Sequence, residues 1–286
     1  MKKVAVIGAG PSGITAIKNF SDQGFEITAF ERCEGVGGNW RFNDPSGHSS
    51  VFETTHIISS KYTSFYEDFP LPKNASDYPS HKELLKYFND YANHFDINKF
   101  IKFGTEVLHC KYKDNHKWKI QWRSLNSEIT NEDEFDALVV CNGHHHEPRY
   151  PDYPGDFSGE YLHSHDYKSA KAFADKRVLV IGGGNSACDV AVETARVSKK
   201  TMISWRRGYH LIPKFMFGLT TDIFSYKSRW LPSRLRIPFM RFMLELIQGK
   251  NEDIGLPKVT NSILATHPTV NSELYDAIRH GKVKPK

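Results

Sequence analysis

The chain carries the same local grammar twice. An apolar run at Lys3–Ile7 enters the turn Gly8-Ala-Gly-Pro-Ser-Gly13, followed by a helical run over residues 14–23 and a second apolar run over 25–31. Much later, Arg177–Ile181 enters Gly182-Gly-Gly-Asn-Ser-Ala187, then a helical run to about residue 197 and an apolar run at 201–205. Strand, glycine turn, helix, strand is a βαβ unit, so the pattern predicts an α/β chain with two parallel-sheet domains. The expected division is residues 1–168 and 169–286. The second domain is expected to be incomplete and to carry an insertion at about 209–266, rich in aromatic and basic residues.

Between the units, residues 118–123 and 135–141 read as strands and 80–95 as a helix with Leu84, Leu85, Phe88, Tyr91 and Ala92 on one face. Pro148 to Pro154 reads as a crossover between domains. The excess of 38 Lys+Arg over 33 Asp+Glu fits an anionic ligand but is too small to imply nucleic acid. Cys33, Cys110, Cys141 and Cys188 form no C-x-x-C pair, which argues for a reducing compartment and against a dithiol centre. No run of about 20 uncharged apolar residues predicts a membrane-spanning helix, and the start of the chain reads as a first strand, so the expected location is cytoplasmic.

Gly8, Gly10 and Gly13 fit G-x-G-x-x-G between a strand and a helix. In a Rossmann-like domain the first glycine makes the turn, the second admits a pyrophosphate and the third lets helix and strand pack; Pro11 and Ser12 open the helix. Glu31 ends the second strand, where a carboxylate accepts from ribose hydroxyls, and Gly37-Gly38 follows it, giving E-x5-G-G. This is the pattern of an FAD site, for which Arg32, Gly38, Asn39, Trp40 and Val107 are further candidates. Gly182, Gly184 and Ala187 fit G-x-G-x-x-A, with Asn185 and Ser186 beside them, but the strand after them ends in Trp205-Arg206-Arg207. A guanidinium binds a ribose 2′-phosphate that a carboxylate would repel, so this unit predicts NADPH rather than NADH.

Phe157, Gly159, His163 and Tyr167 fit F-x-G-x-x-x-H-x-x-x-Y just ahead of the second glycine turn. With FYEDFPLP at 65–72, YANHFD at 91–96, CNGHHHEP at 141–148 and HPTVN at 267–271, the chain resembles the flavin-containing monooxygenases along essentially all its length. Its insertion is similar to those of bacterial members and the plant auxin-forming members. Baeyer–Villiger monooxygenases resemble it less, since their motif usually ends in tryptophan where this chain has Tyr167.

The resemblance implies that NADPH reduces FAD and that reduced flavin captures dioxygen as a C4a-hydroperoxide. NADP+ then shields that species while a soft nitrogen or sulfur centre of a small molecule takes an oxygen atom. Because the flavin carries the chemistry, no side chain is assigned as catalytic, and His163 is read as coupling the domains. The triple His144–His146 matches no metal-ligand spacing, and no metal is expected. Over 232–248, Arg234, Arg236 and Arg241 alternate with Leu235, Phe239, Phe242 and Met243. An interfacial helix touching a membrane surface has this pattern, as does a helix covering a substrate channel, the preferred reading.

Two departures from the family stand out. Ile58 occupies the place where many members carry an asparagine facing flavin and nicotinamide, with Ser59 next to it. Loss of that amide implies either a shorter-lived hydroperoxide, and so an NADPH oxidase that releases peroxide, or its partial replacement by Ser59 and Ser60 through a different route. Members also continue through an A-T-G-Y strand and a C-terminal segment not present before Lys286, so the chain is expected to be a fragment. The competing readings are carbon oxygenation (ketone insertion or decarboxylation) and a catalytically silent dinucleotide-binding module.

Overall fold

Val4, Ala5 and Val6 are fully buried, because the first strand lies inside a parallel sheet, where both faces are covered and no polar alternation is needed. In the computed structural model, which describes residues 1–263 and 269–286, this sheet belongs to the first of two units. That unit comprises Met1–His56 and Tyr66–Lys168; the second comprises Ile57–Phe65 and Ser169–Lys286. Thr266, His267 and Pro268, at the end of the insertion and the start of HPTVN, lie outside the described residues.

The first unit is built on β1 (Lys3–Ile7), α1 (Pro11–Asp22), β2 (Glu26–Phe30), α2 (His81–His94), β3 (Ile101–Lys102), β4 (Thr105–Tyr112), β5 (Trp118–Ser124), β6 (Thr130–Phe135) and β7 (Ala137–Val140). Its main sheet runs β3-β2-β1-β7, all parallel, with Ala5 opposite Thr28 and Leu138. The antiparallel sheet β4-β5-β6 packs Val107, Trp118 and Trp122 against Ala5, Phe30, Ile120 and Phe135. Sequence pattern missed β4 and β6. The reason for β6 is physical: Thr-Asn-Glu-Asp-Glu-Phe has one apolar residue, and the strand is held by partners on β5. Lys119 pairs with Glu132, and the Trp122 indole donates to Asp133 at 2.7 Å.

The second unit has β8 (Arg177–Ile181), α3 (Asn185–Thr194), β9 (Lys200–Ser204), β10 (Leu211–Ile212), β11 (Phe215–Met216), β12 (Leu219–Thr220), α4 (Thr221–Lys227), α5 (Ser233–Gln248), β13 (Thr269–Val270), α6 (Leu274–Arg279) and β14 (Val283–Pro285). The parallel sheet runs β14-β9-β8. Val178 and Val180 face inward, whereas Leu179 and Ile181 on the other face of β8 are about half exposed. The inserted helix α5 has two apolar stripes rather than one. Leu244 is buried, while Leu235, Phe239, Phe242 and Leu246 are exposed on the other side. No helix among the described residues is long and apolar enough to cross a membrane.

Helix α2 begins where its sequence says. The Ser80 hydroxyl accepts from the Glu83 amide at 3.3 Å, and the Glu83 carboxylate accepts from the Ser80 amide at 2.9 Å and the Ser76 amide at 2.9 Å, a reciprocal capping box. Desolvation pushes the Glu83 carboxyl up, but the Ser76 and Ser80 donors outweigh it and hold its pKa at about 2. Such a group stabilises the fold above its unfolded pKa and loses that contribution as pH falls through the folded value. Ser80→Ala should cost about 1 kcal/mol at neutral pH. The melting-temperature gap between wild type and Glu83→Gln should be full above about pH 4.5, the ordinary value, and shrink towards pH 2.

Candidate functional site

The first glycine turn is assembled around Ala9, a residue that motif reading passes over. Its amide donates to Glu31 Oε2 at 2.5 Å, and its carbonyl accepts from Gly37 N at 3.1 Å. These two bonds bring the strand-end carboxylate and the Gly37-Gly38 pair onto the turn. Glu31 is buried, and its other oxygen accepts from Cys33 N at 2.8 Å. A carboxylate has about four acceptor positions, so two remain for other donors.

The three fingerprint glycines have different reasons for being glycine. Gly8 has φ +94°, and a Cβ there would lie 2.4 Å from the Cys141 carbonyl oxygen. A Cβ on Gly13 would lie 2.0 Å from the Gly8 oxygen, so that position is fixed by helix–strand packing. Gly10 has an ordinary φ of −70°, and its Cβ would only meet Gly38 Cα at 3.6 Å. No close contact inside the fold excludes a side chain at Gly10, which is the N-cap of α1.

Helix α1 has no side-chain cap and no acid in its first turn; Pro11 begins it, and the amides of Ser12 and Gly13 point outward from its start. Beside the turn, Asn39 Oδ1 accepts from Ser50 N at 2.8 Å and Ser50 Oγ at 2.9 Å, which fixes the Gly38–Trp40 turn. Arg32 stands at the tip of β2 with its guanidinium against His48 and 3.6 Å from Glu106, and its buried Nε has no hydrogen-bond partner. Val107 is spent on the core under the antiparallel sheet.

The second turn repeats the design with a different edge. Gly182 has φ +133°, and a Cβ there would meet the Ala187 methyl at only 3.4 Å, an ordinary contact, so it is the backbone conformation that asks for glycine. A Cβ on Gly184 meets nothing within 4 Å, and its φ is −82°. Helix α3 also lacks a side-chain cap and a first-turn acid. Ser186 is exposed, and at the end of β9 Trp205 is buried while Arg206 and Arg207 are exposed. The Arg207 guanidinium lies 5.3 Å from the Tyr209 ring centroid.

A strap that sequence reading did not assign holds this turn. Thr269 Oγ1 donates to Gly183 O at 3.1 Å, Val270 N to Asn185 Oδ1 at 2.7 Å, and Asn271 Nδ2 to Asp189 Oδ1 at 2.8 Å. Burial pushes the Asp189 carboxyl up to about 6 despite the Asn271 donor. Asn185, read as a ligand, thus uses its side-chain oxygen to hold the strap. The only sequence signal was the Thr-Val-Asn of HPTVN.

The remaining candidates separate. Of the F-x-G-x-x-x-H-x-x-x-Y residues, Phe157 and Gly159 are exposed, and Tyr167 is buried with its ring 5.3 Å from Phe52. His163 Nδ1 accepts from the His165 amide at 3.0 Å. Its neighbour Lys168 donates to the carbonyls of Ser49 at 2.6 Å and His165 at 3.0 Å. In the triple histidine, His146 stacks on His48 at 5.0 Å, apart from the His144–His145 pair. No group of three metal-ligating side chains is found among the described residues. Ile58 and Ser59 are half-buried in the second unit, and Ser64 Oγ donates to Ser59 Oγ at 2.7 Å.

Two βαβ units, each with a helix start that lacks a side-chain cap and a central glycine whose Cβ would make no close contact, define an α/β protein with two dinucleotide-type turns. A family model described as flavin-binding monooxygenase-like matches residues 1–286. The chain belongs to that family. Dimethylaniline monooxygenase (N-oxide-forming) 2 of Oryctolagus cuniculus is 36% identical over 299 residues, covering 100% of this chain and 56% of the relative. The solved S-allyl-L-cysteine S-oxygenase of Allium sativum is similar with TM-score 0.68 and 29% identity over 76% of this chain and 54% of that one. Cyclohexanone monooxygenase from Rhodococcus sp. Phi1, solved bound to NADP+, shares the fold with TM-score 0.72 at 20% identity over 100% of this chain and 64% of that one. The chain spans 56% of the length of the curated relatives it matches.

The glycines give a sharp pair of expected outcomes. Gly184→Ala should fold with a loss of at most about 1 kcal/mol, the cost of alanine at a helix start, yet lose NADP+ affinity roughly tenfold or more in calorimetric titration if its methyl faces a bound pyrophosphate. Gly13→Ala should fail to give a stable first unit, seen as loss of its cooperative melting.

Proposed function

We propose that the chain is the dinucleotide-binding part of an FAD- and NADPH-dependent monooxygenase that oxygenates a soft nitrogen or sulfur centre of a small molecule. One observation carries the reading: the two units share a scaffold but end their second strands in opposite charge, Glu31 in the first and Arg206-Arg207 in the second. A buried carboxylate already held by two amides suits the ribose diol of FAD. Two exposed guanidiniums suit the 2′-phosphate that distinguishes NADPH.

On this reading the amides at the start of α1 and the open space at Gly10 receive the FAD pyrophosphate, with Gly8, Gly13, Gly38, Asn39 and Trp40 shaping the cradle. Arg32, whose Nε lies 3.6 Å from Glu106 Oε1, stands beside this cradle at the tip of β2. The amides of Asn185, Ser186 and Ala187 and the open space at Gly184 receive the NADPH pyrophosphate. When bound, FAD accepts hydride from NADPH and activates dioxygen for transfer of one oxygen atom. The protein orients the two dinucleotides and excludes water; Ile58 and Ser59 belong to the loop assigned to the flavin–nicotinamide contact.

Heteroatom oxygenation is favoured over carbon oxygenation by the names of the nearer relatives, an N-oxide-forming and an S-oxygenating enzyme at 36% and 29% identity. The ketone-acting neighbour, at 20%, supports the fold alone. Ile58 favours a second outcome for the same enzyme: an apolar side chain in that loop offers no amide donor, so part of the NADPH consumed goes to peroxide.

The test is steady-state NADPH and NADH oxidation under air by the FAD-loaded protein, with peroxide measured in parallel. Arg206→Ser with Arg207→Ser should raise KM for NADPH roughly 10- to 100-fold, the range for losing charge-assisted hydrogen bonds, and leave NADH unchanged. Equal loss with both nucleotides contradicts the assignment. Ile58→Asn should lower peroxide released per NADPH; an unchanged ratio removes Ile58 from the account.

A further inference from the structure

The insertion carries a carboxylate that none of the motifs explains. Asp222 lies in the first turn of α4, yet its Oδ2 accepts from the Ser60 amide at 2.8 Å and from Thr63 Oγ1 at 2.6 Å. Its Oδ1 accepts from the Ile223 amide at 2.8 Å. Ser60 is fully buried, and the loop 57–65 belongs to the second unit together with the insertion. Two donors from one loop converging on one carboxylate oxygen at these distances are charge-assisted bonds, about twice as strong as neutral ones. Desolvation acts to raise the Asp222 carboxyl, but the Thr63 and Ser60 donors hold it at about 2, so the acceptor stays ionised at any working pH.

Helix α4 is itself anchored towards the nucleotide turn. Thr221 N donates to Lys214 O at 2.9 Å, Lys214 N to Ser272 Oγ at 2.8 Å, and Asn271 N to Ile212 O at 3.0 Å. Strand β10 pairs in parallel with β13, whose strap bonds to Gly183 and Asn185 are described above. A continuous set of hydrogen-bonded backbone segments therefore runs from loop 57–65 through the insertion to the second glycine turn.

We propose that Asp222 is the positioning residue of loop 57–65, and that through it the insertion ties that loop to the nucleotide turn at Gly183–Asn185. The loop carries Ile58 and Ser59, so the functional weight of this tether rests on the NADPH site and flavin-facing loop proposed above. Binding at the turn then orders the loop. Asp222 touches no reacting atom and acts only through the loop it holds.

Hydrogen–deuterium exchange on the whole 286-residue chain, read by mass spectrometry, tests this without any flavin. In Asp222→Asn, exchange over 57–65 should accelerate roughly tenfold, since charged hydrogen bonds outweigh neutral ones by about that factor, while β8 and β9 keep their protection. Thr63→Val, which leaves the carboxylate and the Ser60 bond in place, should give a smaller acceleration in the same segment. NADP+ should protect both 182–187 and 57–65 in the wild type, but only 182–187 in Asp222→Asn.

Unchanged exchange at 57–65 in Asp222→Asn overturns the proposal. So does acceleration spread evenly into β8 and β9, which means a general scaffold role, or NADP+ protection of the loop that survives the substitution. Absence of NADP+ protection at 182–187 in the wild type counts instead against the nucleotide-site reading; the cofactor-free comparison then still decides whether Asp222 holds the loop.

Discussion

Helix α1 reaches the tip of β1 only because Gly13 has no side chain, since a methyl there would stand 2.0 Å from the Gly8 carbonyl oxygen. That contact sets where the helix begins and therefore where its unbonded amides point. It also sets the position of Ala9, which receives Glu31 on one side and Gly37 on the other. Remove the close approach and the carboxylate, the second glycine pair and the helix start no longer share one small volume. In the second unit a Cβ added at Gly182 would meet the Ala187 methyl at 3.4 Å, an ordinary contact.

These two similar scaffolds differ in charge at the strand tips. Glu31 is desolvated and pinned by two backbone donors, so its orientation is fixed before any ligand arrives. Arg206 and Arg207 stand exposed beyond a buried Trp205, with the Arg207 guanidinium 5.3 Å from the Tyr209 ring centroid. Further hydrogen bonds come from the insertion and the strap that follows it. The strap at 269–271 bonds the second turn at Gly183 and Asn185 and α3 at Asp189, and Asp222 of the insertion bonds loop 57–65 at two points.

Much of the frame was legible because its residues obey local rules. β1 and β8 are apolar runs that enter glycine turns, and α2 starts at a serine with a glutamate three residues later. β6 was not legible because five of its six residues are polar and its stability comes from pairing with β5. α6 was missed because six residues give too little periodicity, although Leu274, Tyr275 and Ile278 are buried. At the site, the glycines and strand tips could be read from spacing. Ala9 could not, because its part is played by backbone atoms. Asp222 lies 162 positions from the amide it accepts, and only the fold brings such residues together.

The central claim is that the chain holds two chemically distinct dinucleotide sites. Its most direct measurement is a paired equilibrium titration, with FAD followed by its visible absorbance and NADP+ by calorimetry, each in the absence and presence of a saturating amount of the other. The account predicts one FAD and one NADP+ per chain, neither displacing the other. Mutual displacement at a single site, or a chain that takes up NADP+ but never binds FAD at any concentration, would contradict it.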